Sequence, residues 1–192
     1  AYWNSLNQQL KQENICKVLY PKNNPLKGME MRLKQEYFFS SATIQDVVRR
    51  FKKMKKPFDE FPEYVAIQLN DTHPVVGSLE LIRILVDVEG LSFEKAYEIT
   101  RNTFAYTNHT VLPEALEKWP VDLFGNLLPR HLQLAYTVNQ YFLDSVMRDF
   151  PYVTGETLSA LSIVEESKPK QLRMANLAIV LSHTVNGVAQ IH

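Results

Sequence analysis

The sequence predicts a helix-rich α/β fold, and two features of the chain support that prediction. Apolar residues recur at helical spacing through most of its length, most clearly from Glu30 to Lys55. One short apolar run with β-branched residues, Val65–Leu69, is instead typical of a buried strand. Because a strand needs partners for its backbone groups, we expect further strands of this sheet to lie outside the sequence.

The remaining elements follow from periodicity, caps and breaks. Proline, asparagine and glycine residues predict loops at Pro21–Gly28 and Pro57–Pro62. The polar segment Tyr106–Thr110 predicts a third loop. Ser92 is the expected N-cap of one helix. The predicted helices are Ser5–Leu19, Glu30–Lys55, Ser78–Val88, Phe93–Phe104, Pro113–Trp119, Val121–Leu128, Arg130–Asp149 and Gln171–Ser182, with a helical turn at Thr157–Leu161. No repeat or linker interrupts residues 1–192, so we expect no internal domain boundary.

Composition narrows the class of protein. The charges of 21 basic and 21 acidic residues cancel. A net charge of zero argues against nucleic-acid binding through the overall charge of the domain. No apolar run approaches the roughly 20 residues that cross a bilayer, so no membrane partner is expected. Cys16 is the single cysteine, which excludes an intrachain disulfide and fits a cytoplasmic location. We expect Cys16 to be a small buried apolar residue, and both chain ends to be cuts from a longer protein.

Two polar segments are candidates for a binding site. Asn70–Pro74 follows the predicted strand directly, and ligands of α/β proteins bind at the carboxyl ends of strands. Tyr106–Thr110 follows a helix and again combines asparagine with histidine. Each segment has a simpler interpretation, in which Asn70, Asp71, Asn108 or Thr110 satisfies a helix end. If the segments converge, their donors and acceptors match the hydroxyl groups of a carbohydrate.

Consecutive motifs carry a resemblance to a known family. The runs VLYP, RLKQEYF, QDVVRRFK, VAIQLNDTHP, AYTNHTVLPEALEKWPVDLFGNLLPRH and SHTVNGVAQIH occur in this order from about Asn14 to the last residue. In order and spacing, this series resembles the α-glucan (glycogen) phosphorylase family. The resemblance implies a helix-rich part of the N-terminal Rossmann-like domain of a GT-B fold.

The resemblance also implies an activity. Members of the family cleave terminal α-1,4-linked glucose from glycogen or other α-1,4-glucans with inorganic phosphate, releasing glucose 1-phosphate. They carry pyridoxal 5'-phosphate on a lysine that lies outside this chain, so no cofactor-binding or metal-binding residue is expected here. A homodimer is expected for the full-length form, and the 192-residue chain alone is expected to be inactive.

Site residues carry over by position in the motifs. His109 matches the histidine at the catalytic glucose subsite, where partial negative charge faces a carbon that becomes positive in the transition state. Three residues match the acceptor side, where the next glucose units lie: Tyr20, Asp71 and His73. Asn24 matches the asparagine of a gate loop, and Val188 matches an apolar residue at the wall of the glucose subsite.

Two further sites are implied at the surface. Arg49 and Arg50 match an arginine pair that binds the phosphate of effectors, although a solvated helix end with a favourable dipole explains these cations equally well. The residues matching a glycogen-storage site are Gln133, Tyr136, Glu166 and Lys170; the alternative for them is an exposed helix face beside a loop ion pair.

Two other functions stay open at this point. A carbohydrate-binding relative without catalytic activity would share the same polar segments. A helical module that binds phosphate or nucleic acid would use the basic run Arg49–Lys56, although base-stacking aromatic residues are not interleaved with it.

Overall fold

A computed structural model describes residues 12, 13, 15, 16 and 25–192. The four described residues of the predicted helix Ser5–Leu19 are helical, and the rest of that helix lies outside the described part of the chain. The predicted substrate-binding residues Tyr20 and Asn24 also lie outside it.

The described elements form a mixed α/β arrangement. The helices are α1 (Pro25–Lys53), α2 (Phe61–Tyr64), α3 (Val76–Arg83, continued by a π turn over Ile84–Val88), α4 (Phe93–Thr103), α5 (Val121–Leu127), α6 (Pro129–Asp149), α7 (Gly155–Leu161) and α8 (Met174–Val180). Short 3-10 turns occupy Phe58–Glu60 and Pro113–Ala115. The strands are β1 (Ile67–Asn70), β2 (Phe104–Asn108), β3 (Lys118–Pro120), β4 (Val164–Glu165), β5 (Gln171–Arg173) and β6 (Thr184–Gly187).

The main sheet is parallel, with β2 between β1 and β6. Ile67 pairs with Phe104 and Asn70 with Thr107, while Ala105 pairs with Thr184 on the other side. The prediction that the strand's partners lie outside the sequence is therefore wrong for these two strands. Helix α4 passes into β2 without a connecting loop, which hid the strand from the sequence pattern.

A second, antiparallel sheet joins three very short strands in the order β3-β5-β4. Leu172 is fully buried and pairs with both Trp119 and Val164. The predicted helix Gln171–Ser182 therefore starts later, at Met174, because its first three residues satisfy their backbone groups in this sheet. The predicted helix Pro113–Trp119 is likewise only a 3-10 turn that leads into β3.

Helix α3 lies at the centre of the core. Every residue from Val76 to Ile82 is buried, and the helix packs against α1, α4 and α6. Gly77 allows α1 to approach closely, because a Cβ there would lie 3.4 Å from side-chain atoms of both Ile44 and Ser40. The expected cap of α4 is confirmed, with the Lys95 amide donating to Ser92 Oγ at 3.3 Å.

A buried carboxylate joins helices α1, α3 and α6. Glu80 of α3 has no exposed surface and accepts hydrogen bonds from Ser41 Oγ (2.9 Å) and Arg83 Nε (2.8 Å). His131 Nε2 of α6 lies 2.7 Å from Glu80 Oε2, the oxygen that also accepts from Arg83 Nε. Burial by itself raises the pKa of Glu80, but the hydrogen bonds from Arg83, His131 and Ser41 outweigh it and lower the pKa to about 2.

Two expectations about burial are wrong. Phe38, which the helical spacing predicts as core, is 47% exposed because α1 buries a different face against α3. Cys16 is exposed, whereas the residue before it, Ile15, contacts α1 through its carbonyl, which accepts from Gln35 Nε2 at 2.9 Å. None of the helices in the described ranges is both long and apolar enough to cross a membrane.

Replacing Glu80 by glutamine tests the buried network. At neutral pH the Glu80→Gln variant should lose about 2–3 kcal/mol of stability, since the hydrogen bonds to Ser41, Arg83 and His131 then lack their ionised acceptor. Because the native pKa lies below the ordinary value of 4.5, this contribution is present above pH 4.5 and is lost as pH falls towards about 2. Thermal unfolding across this pH range measures it. The exposed Glu63→Gln variant is the control, and equal midpoints for the two variants at pH 7 would contradict the network.

Candidate functional site

Three polar strand ends meet at the carboxyl edge of the parallel sheet. Strand β1 ends at Asn70 and β2 at Asn108, while β6 ends at Gly187 beside the predicted site residue Val188. Because β2 lies in the middle and all three strands run the same way, their last residues are neighbours. The two polar segments singled out from the sequence therefore lie side by side.

Direct hydrogen bonds join these segments. His109 Nε2 lies 2.5 Å from Asn70 Oδ1, and with the amide oxygen as acceptor this ring nitrogen donates. The Asp71 amide donates to the Thr107 carbonyl at 3.0 Å. The Val188 amide donates to the Asn108 carbonyl at 3.2 Å. His109 thus has a defined orientation relative to the turn after β1.

That turn has an unusual backbone. Asp71 has a φ of 69°, in the left-handed region, and its Oδ1 accepts from the Thr72 amide at 2.6 Å. The chain reverses away from the sheet there, which leaves His73 exposed and Thr72 buried. Non-glycine residues in this conformation are concentrated at functional sites, because the surrounding structure has to hold them in place.

The simpler capping interpretation is resolved differently for the two segments. Helix α3 begins after Val75 without a side-chain cap, so neither Asn70 nor Asp71 caps it. In the second segment Asn108 Oδ1 accepts from the Thr110 amide at 3.2 Å, and Thr110 Oγ1 accepts from the Leu112 amide at 3.1 Å. These two side chains do stabilise the local turn before Pro113.

The edge exposes the groups that a ligand would meet. His109 and His73 are exposed, Asp71 is half-buried, and Val188 is 54% exposed. Behind them, the buried Tyr106 hydroxyl accepts from Asn108 Nδ2 at 2.8 Å. Burial raises the pKa of Tyr106, so this hydroxyl stays neutral and fixes the Asn108 amide.

A hydrogen-bond chain across the three strands escaped the sequence analysis. Gln68 Nε2 donates to Thr107 Oγ1 at 2.8 Å, and Thr107 Oγ1 donates to Asn186 Oδ1 at 2.9 Å. Asn70 lies in the predicted binding segment Asn70–Pro74, but its hydrogen bond to His109 was not predicted. The signal for them was the alternation of polar residues in the two outer strands, at Gln68 and Asn70 in β1 and at Thr184 and Asn186 in β6, which becomes readable only once β2 and β6 are recognised as strands.

The arginines of the expected effector site share one carboxylate. Asp46 lies 2.6 Å from Arg49 Nη2 and 3.0 Å from Arg50 Nε, and all three side chains are about half exposed or more. A hydrogen bond from Arg49 is the main cause that lowers the pKa of Asp46. A phosphate at this position would compete with Asp46 for both guanidinium groups.

The residues of the expected glycogen-storage site lie near one another. Gln133 and Tyr136 are exposed on α6, and Gln133 Oε1 accepts from Arg130 Nη1 at 3.2 Å. Lys170 Nζ lies 2.6 Å from Glu166 Oε2, and this ion pair raises the pKa of Lys170. Tyr136 is close enough to contribute to the same shift. Over residues 12–16 and 25–192, as far as they are described, no group of three or more potential ligand side chains is placed to hold a metal ion.

Comparison with known proteins gives one consistent result. The family model for carbohydrate phosphorylase matches residues 1–192. The chain is 56% identical over all its residues to a glycogen phosphorylase of Saccharomyces cerevisiae, 57% identical over 94% of its length to the liver form from Ovis aries, and 53% identical over all its residues to glycogen phosphorylase 2 of Dictyostelium discoideum. It spans about a fifth of the length of these relatives, with 21%, 22% and 19% covered.

Substitutions at Asp71 test whether its backbone conformation is strained. Alanine and glycine both remove the hydrogen bond to the Thr72 amide, but only glycine adopts a positive φ without steric cost. We expect Asp71→Gly to be about 0.5–1 kcal/mol more stable than Asp71→Ala, as measured by thermal unfolding. Asp71→Asn serves as the matched control with a side chain that tolerates this region. An Asp71→Ala variant as stable as Asp71→Gly would show that the turn relaxes.

Proposed function

Because the chain belongs to the carbohydrate phosphorylase family, we propose that it is part of an α-glucan phosphorylase. The enzyme cleaves the terminal α-1,4-linked glucose of glycogen or a related glucan with inorganic phosphate and releases glucose 1-phosphate. This chain supplies loops that hold the sugar. The observation that carries the proposal is the hydrogen bond between Asn70 and His109, which fixes two polar segments into one ligand-facing edge.

The chemistry of the edge supports a carbohydrate ligand. Sugar hydroxyls need both donors and acceptors, and the exposed edge presents a carboxylate at Asp71 and imidazoles at His73 and His109. Val188 adds an exposed apolar surface of the kind that contacts the carbon face of a sugar ring. In this assignment Asp71, His73 and Tyr20 contact the glucan on the acceptor side, and Asn24 contacts glucose from the gate loop.

His109 is proposed to act on the transition state. As the glycosidic bond breaks, the anomeric carbon gains positive charge, and partial negative charge aimed at it lowers the barrier. The main-chain carbonyl and ring of His109 are the proposed source. Its Nε2–H is already committed to Asn70, so the ring is orientated before substrate arrives and need not reorganise during reaction.

The rest of the enzyme is proposed to supply the cofactor. Pyridoxal 5'-phosphate provides the acidic phosphate that assists phosphorolysis in such enzymes. Neither Asn70–Pro74 nor Tyr106–Thr110 contains a lysine or an arginine, so these segments offer neither an amine for the aldehyde nor a cation for its phosphate. The residues at this edge therefore do not fit that cofactor, and we assign its site to a part of the enzyme outside this chain.

The wider setting is also part of the proposal. The parallel sheet with helices supports assignment of residues 1–192 to the N-terminal domain of a GT-B fold, without an internal boundary. The full-length enzyme is proposed to be a cytoplasmic homodimer, and the isolated chain to be inactive because half of the catalytic site lies elsewhere.

Two surface roles follow for the full-length enzyme. Arg49 and Arg50 are proposed to bind an effector phosphate by exchanging Asp46 for the phosphate oxygens. Gln133, Tyr136, Glu166 and Lys170 are proposed to hold a glucan away from the catalytic site. The proximity of Tyr136 to the Glu166–Lys170 ion pair supports this second role, because the phenol ring and the charged pair offer stacking and hydrogen bonds together.

Two histidine variants of the full-length enzyme test the catalytic assignment. His109→Ala should lower kcat for phosphorolysis of a maltooligosaccharide by about 100-fold or more, with a smaller change in KM, since the lost interaction acts mainly on the transition state. His131→Ala removes the buried hydrogen bond to Glu80 instead. It should lower the thermal midpoint while the folded enzyme keeps most of its kcat.

The comparison is made on enzyme shown to be folded by its unfolding transition. Equal losses of kcat in the two variants would remove His109 from the catalytic site. Full activity of His109→Ala would do the same.

A further inference from the structure

Two largely buried glutamates face one arginine on the side of α1 that packs against the chain leading from His109 to β3. Glu36 of α1 and Glu117, the residue before β3, have side chains that are only 11% and 12% exposed. Arg32 Nε lies 3.2 Å from Glu36 Oε1, and Arg32 Nη2 lies 3.3 Å from Glu117 Oε2. Among the described residues, the cluster therefore contains two acids for one base.

The hydrogen bonding of Glu117 is incomplete if both acids are ionised. Both of its carboxyl oxygens are buried. Among the described residues, neither oxygen accepts a hydrogen bond. An ionised carboxylate without donors is costly in a buried position, and a second negative charge beside it adds repulsion. A proton on Glu36 removes the repulsion and gives Glu117 a hydrogen-bond donor.

We propose that Glu36 and Glu117 share one proton, and that this acid pair positions the segment from Thr110 to Glu117 against helix α1. The positioning role rests on the proposed function, because the segment continues directly from His109. The shared proton does not depend on that function.

The electrostatics of Glu36 agree with this arrangement. Burial is the largest cause that raises its pKa, from 4.5 to about 9, followed by the charge of Glu117 and a hydrogen bond with it. The charge of Arg32 and its hydrogen bond lower the pKa of Glu36, but by less than burial and Glu117 raise it. Lys118, the next residue of the segment, lies 2.7 Å from Glu165 and is paired there instead. Arg32 and Glu117 are thus the charged groups that act on Glu36 from its own helix and from the segment opposite.

The position of the pair explains why it matters for the site. Arg32 and Glu117 line a cleft of about 480 Å³ between the first half of α1 and residues 113–119. Helix α1 begins at Pro25, directly after the proposed glucose-binding residue Asn24. The acid pair therefore connects the first half of α1, which follows Asn24 in sequence, with the segment that follows His109.

The pair makes stability depend on pH in a defined direction. Between pH 4.5 and about 9, folded Glu36 keeps a proton that the unfolded chain releases, so folding takes up one proton. The stabilisation is complete below pH 4.5 and is lost as pH rises through about 9. Glutamine at position 36 mimics the protonated acid at every pH and should abolish this part of the pH dependence.

The test uses the full-length enzyme with Glu36→Gln, Glu117→Gln and a control. Glu30→Gln changes an exposed carboxylate on the same helix, one that pairs with Lys34 at 2.5 Å. Thermal midpoints are measured from pH 5 to pH 9. We expect the thermal midpoint of Glu36→Gln to lie above that of the wild type by a difference that grows by about 1 °C for each unit of rising pH. The difference in thermal midpoint between Glu30→Gln and the wild type should not change with pH. Glu117→Gln, which also relieves the repulsion, should show the same trend.

A difference in thermal midpoint between Glu36→Gln and the wild type that is independent of pH would overturn the shared proton. A Glu36→Gln variant that is less stable than the wild type throughout would do so as well, since it would mean that both acids are ionised and needed as anions.

A kinetic measurement tests the positioning role separately. The alkaline limb of the kcat/KM profile for phosphorolysis should move to higher pH in Glu36→Gln and stay in place in Glu30→Gln, because loss of the shared proton releases the His109 segment in the wild type. A second outcome is an alkaline limb that stays in place in Glu36→Gln while the difference in thermal midpoint from the wild type still grows with pH. That result would overturn the positioning role but not the shared proton. If no variant, nor the wild type, shows phosphorolysis, the proposed function fails and the thermal result still decides the pair.

Discussion

The parallel pairing of β1 with β2 is the constraint on which the candidate site depends. Its register sets Asn70 opposite Thr107, and the next residues on each strand, Asp71 and Asn108, are therefore neighbours. A shift of one residue would turn alternate side chains to the other face and separate Asn70 from His109. Addition of β6 on the far side of β2 brings Val188 to the same edge. The site is thus a consequence of strand order and register more than of any single loop.

A buried helix links the turn after β1 to the rest of the core. Helix α3 follows the turn after β1 and is anchored through Glu80 to both α1 and α6. An ionised, fully hydrogen-bonded carboxylate in the core is directional, so it selects one arrangement of these helices. Glu36 and Glu117 present the opposite case: among the described residues no donor makes a hydrogen bond to Glu117, and in our proposal a proton on Glu36 completes the network. The two clusters show how similar buried acids reach different protonation states.

Within the described ranges the sequence predicted most of the helices and the first strand, because their apolar spacing extends over many residues or ends in a sharp polar turn. It failed where a strand was short and followed a helix directly, as at Phe104–Asn108, or where three residues paired in a small sheet, as at Gln171–Arg173. Such strands depend on partners distant in sequence, which periodicity cannot reveal. For the site, motif similarity singled out Asp71, His73 and His109. The role of Asn70 as the partner of His109 needed the coordinates.

A structure of the full-length enzyme bound to a short maltooligosaccharide would show whether this edge of the sheet holds the sugar. We expect a glucose ring within hydrogen-bond distance, about 3 Å, of groups from both Asn70–Pro74 and Tyr106–Thr110, with His109 still bonded to Asn70. A sugar that occupies the catalytic site without touching either segment would contradict this expectation. So would an enzyme in which other parts of the protein cover this edge of the sheet and keep the glucan away.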